Sequence, residues 1–297
     1  MIAIVPPLIA SSWSSSAGRP RPGQRPLAPA APGPHRVGVS SVRAIQSHSR
    51  VVGALMMREL ITRFGRDGLG FLWLVGEPLL FCLGVLGLWA VIRPEYEHGV
   101  RLGPMVMTGY MALLLLRHQI GWSLTALSAN QGLLMHRGVA VLHLYVARNL
   151  LEFLGATAAF AVVYLLLAAL GQVGPPGDWS LMYAGWGLLG LMGFGLALIF
   201  AGLAQRFAVM ERIVPLLTYA MIPLSGAFFM VSWLPPAVQE AVLWIPLPHA
   251  VEMLRAGVFG EFVETHWNPV YASVWAGVLI LLGLALTAGA RDRLETE

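Results

Sequence analysis

Three charged side chains stand inside long apolar stretches. Arg117 follows Leu113-Leu114-Leu115-Leu116 in the run 104–128, Glu77 precedes Pro78 in the run 69–92, and Glu152 lies near the start of the run 147–170. A charge at membrane depth is expensive and persists where it meets water or a partner. Arg117 therefore has two readings. It can line a path and meet an anion, or it can pair with Glu77 and Glu152, which lie at neighbouring depths, and hold three helices together. Pro78 removes a backbone donor and bends its helix, which either opens a channel mouth or fits a kinked helix to its neighbours. Aromatic side chains at or near these runs offer flat apolar faces to such a path. Tyr110, Trp122, Tyr145, Tyr164, Trp186 and Tyr219 are candidates, and each is equally suited to packing.

Other chemistries are poorly served. All 19 basic residues are Arg, so the lysine of a phosphate-binding loop is missing, and no glycine-rich stretch of that pattern occurs. The chain is not expected to bind ATP in the usual way. His118, His136, His143 and His249 show no ligand spacing, and the single Cys82 lies in an apolar run, so no metal site is expected. Acids are scattered rather than clustered, which counts against a membrane glycosyl or phosphoryl transferase.

The elements that must position these residues follow from hydropathy. The 297 residues are 57% hydrophobic and 11% charged, against about 25% charged in a soluble chain, with mean hydropathy +0.70. Six apolar runs, 69–92, 104–128, 147–170, 179–203, 213–231 and 270–290, are near the length that crosses a bilayer as a helix. The expected class is all-α, a polytopic membrane protein with six spans. Residues 51–66 read as an amphipathic interface helix, with Gly53, Met56, Met57, Leu60, Ile61 and Phe64 on one face and Arg58, Glu59, Thr62, Arg63 and Arg66 on the other. Residues 1–50, rich in Pro, Ser and Arg, read as a disordered tail ahead of the membrane domain 51–297. Between 232 and 269, two short apolar pieces broken by prolines read as re-entrant helices, with an extracellular hairpin as the alternative. Arg58, Arg63, Arg66, Arg137, Arg148, Arg206, Arg212, Arg291 and Arg293 fall on one side, and Arg93, Arg101 and Arg255 on the other. That asymmetry puts both termini in the cytoplasm. The net charge of +4 is then loop charge and not a nucleic-acid footprint.

Spaced motifs add a resemblance. Met57-Arg58-Glu59, Thr62 to Arg66, Leu69-Gly70, Trp73 and Glu77-Pro78 come first. Thr108-Gly109, Leu116-Arg117-His118, Asn130 to Arg137, Ala147-Arg148-Asn149 with Glu152, and His249 to Gly257 follow in order. From about residue 51 onward, the chain resembles the membrane subunit of ABC-2 type exporters of bacterial capsular polysaccharide. The family pattern has Phe where this chain has Leu116. The resemblance implies a homodimer in a bacterial inner membrane, seated on two copies of a separate ATPase subunit that binds ATP and Mg. It implies a lipid-linked polysaccharide cargo and periplasmic and outer-membrane export partners. It assigns ATPase coupling to Arg58, Glu59, Arg63, Arg66, Asn130 and Arg137. The translocation path, or intramembrane pairing, falls to Glu77, Arg117, Glu152, Tyr110 and Trp122. Another cargo, such as O-antigen or teichoic acid, would leave fold and topology unchanged.

Overall fold

The structure, a computed structural model, describes residues 37–65, 70–92, 96–134 and 139–288. Helix α1, Val37–Phe64, begins 14 residues before the amphipathic pattern does. Residues 37–50, read from sequence as part of a tail, are helical because the prolines stop at Pro34 and none recurs before Pro78. Helix α2, Gly70–Ile92, carries Pro78 inside it. A hairpin follows, β1 (Tyr96–Glu97) against β2 (Val100–Arg101), with Tyr96 opposite Arg101. Its turn residues His98 and Gly99 both have positive φ, 51° and 83°, as a two-residue hairpin turn of this hand requires. Helix α3, Leu102–Leu124, leads through a 3₁₀ turn into the short α4, Gln131–Leu134.

Helix α5 is Val141–Ala169, α6 is Trp179–Ala204, α7 is Met210–Leu224, α8 is Pro236–Leu243, α9 is Pro246–Phe259 and α10 is Pro269–Thr287. Asp178 caps α6 by accepting from the amides of Ser180 and Leu181 at 2.8 and 3.1 Å. The Ser180 hydroxyl, together with these amides, holds the Asp178 carboxyl below its usual range. Among the described residues, four helices are long and apolar enough to cross a membrane, α2, α5, α6 and α10. Helix α3 has the length, 23 residues, but Arg117-His118-Gln119 lowers its hydropathy. The run 213–231 does not form one helix. Helix α7 ends one residue after Pro223, and the chain then reverses at Gly226, whose φ is 72°.

Helix α6 is the centre of the packing, against α10, α9 and α3. Helix α9 is buried from Leu247 to Val258. The α6–α9 crossing is close because Gly185 faces the backbone of Leu254 and Gly257 faces that of Met182. In lipid there is no hydrophobic drive between helices, so such small-residue contacts carry the association. A Cβ on Gly185 would lie 2.5 Å from the Leu254 nitrogen, whereas one on Gly277 of α10 meets nothing within 4 Å. Gly185→Val is therefore expected to cost ~1–3 kcal/mol of overpacking and to cut the monodisperse yield in detergent several-fold. Gly277→Val, purified in parallel, should match the wild type.

Candidate functional site

Arg117, Glu77 and Tyr110 come together at a cavity of about 340 Å³ between α2, α3 and α7. Phe81, His118, Thr218 and Tyr219 also line it. The Arg117 guanidinium lies 4.4 Å from the centre of the Tyr219 ring. Such a contact is favourable but leaves the cation without a counter-ion. Among the described residues no carboxylate reaches Arg117, and Glu77 has no ion pair. The cavity thus presents an unneutralised guanidinium and a carboxylate on a largely apolar wall. Of the six candidate aromatics only Tyr110 and Tyr219 line it. Tyr145 is buried and accepts from Gln205, Trp186 donates to the Thr157 hydroxyl at 2.8 Å, and Tyr164 donates to the Gly174 carbonyl at 2.6 Å.

Glu152 lies elsewhere. It takes Arg63 of α1 at 2.5 Å on one oxygen and faces His118 at 3.5 Å with the other. The expected pairing of Glu152 with Arg117 does not form, because α1 supplies a cation that reaches it first. Glu59 bridges Arg63 at 2.8 Å and Arg148 at 2.9 Å. Arg63 also stacks over Trp122 at 3.7 Å, and Arg148 donates to the Trp122 carbonyl at 2.8 Å. Arg58 donates to the Asn130 side chain at 2.5 Å. Part of the charged face of α1 is therefore turned onto its own chain, with Leu55 packed against Leu127, Leu134, Leu144 and Ala147. Met57 and Ile61 point outward, 58% and 62% exposed. Arg66 and Arg137 lie outside the described residues. His118 belongs to both groups, lining the cavity and touching Glu152.

The third constellation was missed from sequence. Arg255 is fully buried on α9. It donates to the carbonyls of Phe229, Ala227 and Gly226 at 2.6, 2.8 and 2.9 Å, and lies 3.3 Å from Glu252 and 3.4 Å from the Thr108 hydroxyl. Glu252 accepts in turn from the His266 amide at 3.2 Å. The carbonyls it meets belong to the irregular turn that follows α7. Gly109 lets α3 approach this same turn, against the backbone of Ala227. Counting Arg255 as a loop charge concealed its role. The usable signal was that Arg255 sits three residues after Glu252 in an otherwise apolar piece.

A family model described as ABC-2 type transporter matches residues 50–259. The chain belongs to the ABC-2 type transporter family. All three constellations, at α1, α3 and α9, fall inside the matched range. The capsule polysaccharide export inner-membrane protein CtrC of Neisseria meningitidis serogroup B is 41% identical over 89% of this chain and 98% of its own length. BexB of Haemophilus influenzae, another capsule polysaccharide export inner-membrane protein, is 36% identical over 86% and 96%. The polysialic acid transport protein KpsM of Escherichia coli is 28% identical over 83% and 95%. This ABC-2 chain is a polytopic, mostly helical membrane protein of the permease type.

Two outcomes are expected of the polar groups in this ABC-2 fold. Removing one partner of a buried, hydrogen-bonded charge costs ~3–5 kcal/mol, so Arg255→Met should lower the melting temperature in detergent sharply, and Arg255→Lys, lacking the planar fork, should recover only part of it. A double-mutant cycle with Arg63→Gln and Glu152→Gln should return a coupling of ~0.5–3 kcal/mol. Additive effects in that cycle would mean that the pair does not hold α1.

Proposed function

We propose that this chain is the membrane subunit of an ATP-driven exporter that moves lipid-linked capsular polysaccharide from cytoplasm to periplasm. The observation that carries the reading is the likeness to CtrC along 98% of that relative's length. The chain works as a homodimer with two copies of an ATPase subunit, and ATP and Mg reside in that partner. Helices α2, α3, α5, α6 and α10 cross the membrane, the 15-residue α7 and the chain after it to Val231 together make a further crossing, α8 and α9 re-enter from the periplasmic side, and both termini are cytoplasmic. The Arg distribution supports this topology, and Arg117 at the wall of the cavity supports a path there. Leu72, Trp73, Leu80, Phe81 and Leu88 leave α2 exposed, as do Leu216 and Tyr219 on α7. A second copy set against these two helices covers them and puts a cavity from each protomer beside the other.

In this arrangement Arg117, Glu77 and Tyr110 line the path. The guanidinium attracts anionic groups of the cargo, and Tyr110 and Tyr219 offer apolar faces to its sugars. Arg58, Arg66, Asn130 and Arg137 meet the ATPase, while Glu59, Arg63, Glu152 and Trp122 fasten α1 to α3 and α5. Periplasmic and outer-membrane export proteins take the polymer onward.

Deleting the gene should leave capsule polymer inside the cell and none at the surface, and absence of polymer everywhere would point to synthesis instead. Arg117→Gln should reduce surface polymer at least about tenfold, the equivalent of one lost charge-assisted hydrogen bond, with dimer abundance unchanged. Loss of the dimer would make Arg117 a structural residue.

A further inference from the structure

The cavity of Arg117 is a groove with one side open. Its floor is α3, and its walls are α2 and α7, which both pack on α3 and scarcely touch each other. The opening therefore lies between two helices whose outer faces are bare. Trp73 and Leu80 on α2, and Leu216 and Tyr219 on α7, are each more than half exposed. Glu77 stands on the rim of the α2 wall. It lines the groove and also borders a depression on the outer face of α2, with Trp73, Leu80, Gly84 and Leu88. No other charged side chain borders that depression. Arg117 leans the other way, over the Tyr219 ring on the α7 wall. The two charges share a groove, yet among the described residues neither has an ion-pair partner. At membrane depth such charges are costly until water or a partner answers them, and lipid chains closing over the opening would do neither.

We propose that a second copy of this chain answers them, with Glu77 of one protomer paired to the partner's Arg117. In a two-fold interface each contact is repeated in reverse, so one such pair makes two, and the four charges cancel. The inference rests on the homodimer set against α2 and α7 proposed above, and adds what closes it. The apolar faces of the two helices carry the association. The ion pairs decide whether the seam between the protomers is shut. At rest the seam has no net charge. An anionic group of the cargo that takes the guanidinium releases the carboxylate, and the seam parts there.

The test uses full-length chains bearing two different tags, co-expressed and purified in detergent. One copy carries Arg117→Glu and the other Glu77→Arg. Each then holds two like charges in its own groove, and only the mixed dimer sets opposite charges together at both places. Mixed dimers should exceed statistical mixing at least about fivefold, the upper end for one exposed ion pair, while wild-type chains mix statistically. Statistical mixing of the two variants overturns the proposal and leaves the homodimer standing. Wild-type tags that do not co-purify overturn both. If the reversed chains do not fold, cysteines replace the charges, with the buried free thiol removed by Cys82→Ala. Glu77→Cys on one tag and Arg117→Cys on the other should then be joined by a short bis-maleimide. A chain with both cysteines that links only to itself, with the mixed pair unlinked, puts the pair within one protomer and overturns the proposal.

Discussion

One buried guanidinium makes the broken end of α7 possible. A helix that stops inside a membrane exposes carbonyls that lipid cannot satisfy. Here α7 ends at Leu224, and from the neighbouring α9 Arg255 answers three carbonyls of the irregular chain that follows, those of Gly226, Ala227 and Phe229. Glu252 supplies the counter-charge, so α9 carries both halves of an ion pair into the interior without leaving a net charge there. Gly109 brings α3 against the turn at Ala227, and Gly185 brings α6 against α9 at Leu254. Without that guanidinium, the irregular chain after Leu224 has no stable place among the helices.

The two charged groups nearer α1 divide the work differently. Around Glu152, every charge has a partner, and the result is a clamp that ties α1 to α3 and α5. Around Arg117, charges face a cavity and have no ion-pair partner among the described residues. A clamp and an open site made from the same residue types differ only in whether a complementary group is within reach. His118 stands between them, with its ring on the wall of one and its nitrogen near the carboxylate of the other.

Hydropathy made the helical class and most helix positions legible, because runs such as 179–203 and 270–290 are apolar throughout and match α6 and α10 closely. Arg117 and Glu77 stood out, since a charge in an apolar run announces itself, whereas Tyr110 was one of six aromatics that nothing in the sequence separated. The partner of Glu152 was not. Depth along a helix says nothing about azimuth, so Arg117 looked as close to it as Arg63 does. The start of α1 was hidden as well, because tail-like composition up to Pro34 coloured the residues after it. Arg255 was hidden by its setting in a proline-rich connection, where charges are ordinarily solvated.

Helix α5 runs 29 residues without a proline, about 44 Å at the usual rise per residue. It is the longest rod in the membrane part of the fold, while α2 and α7 both carry internal prolines. Arg148 and Glu152, the points where α1 is fastened, lie in its first three to four turns. A rod gripped near one end behaves as a lever. A small tilt imposed through α1 becomes a larger sweep at Tyr164 and the Gly174 turn, with no hinge in between to absorb it.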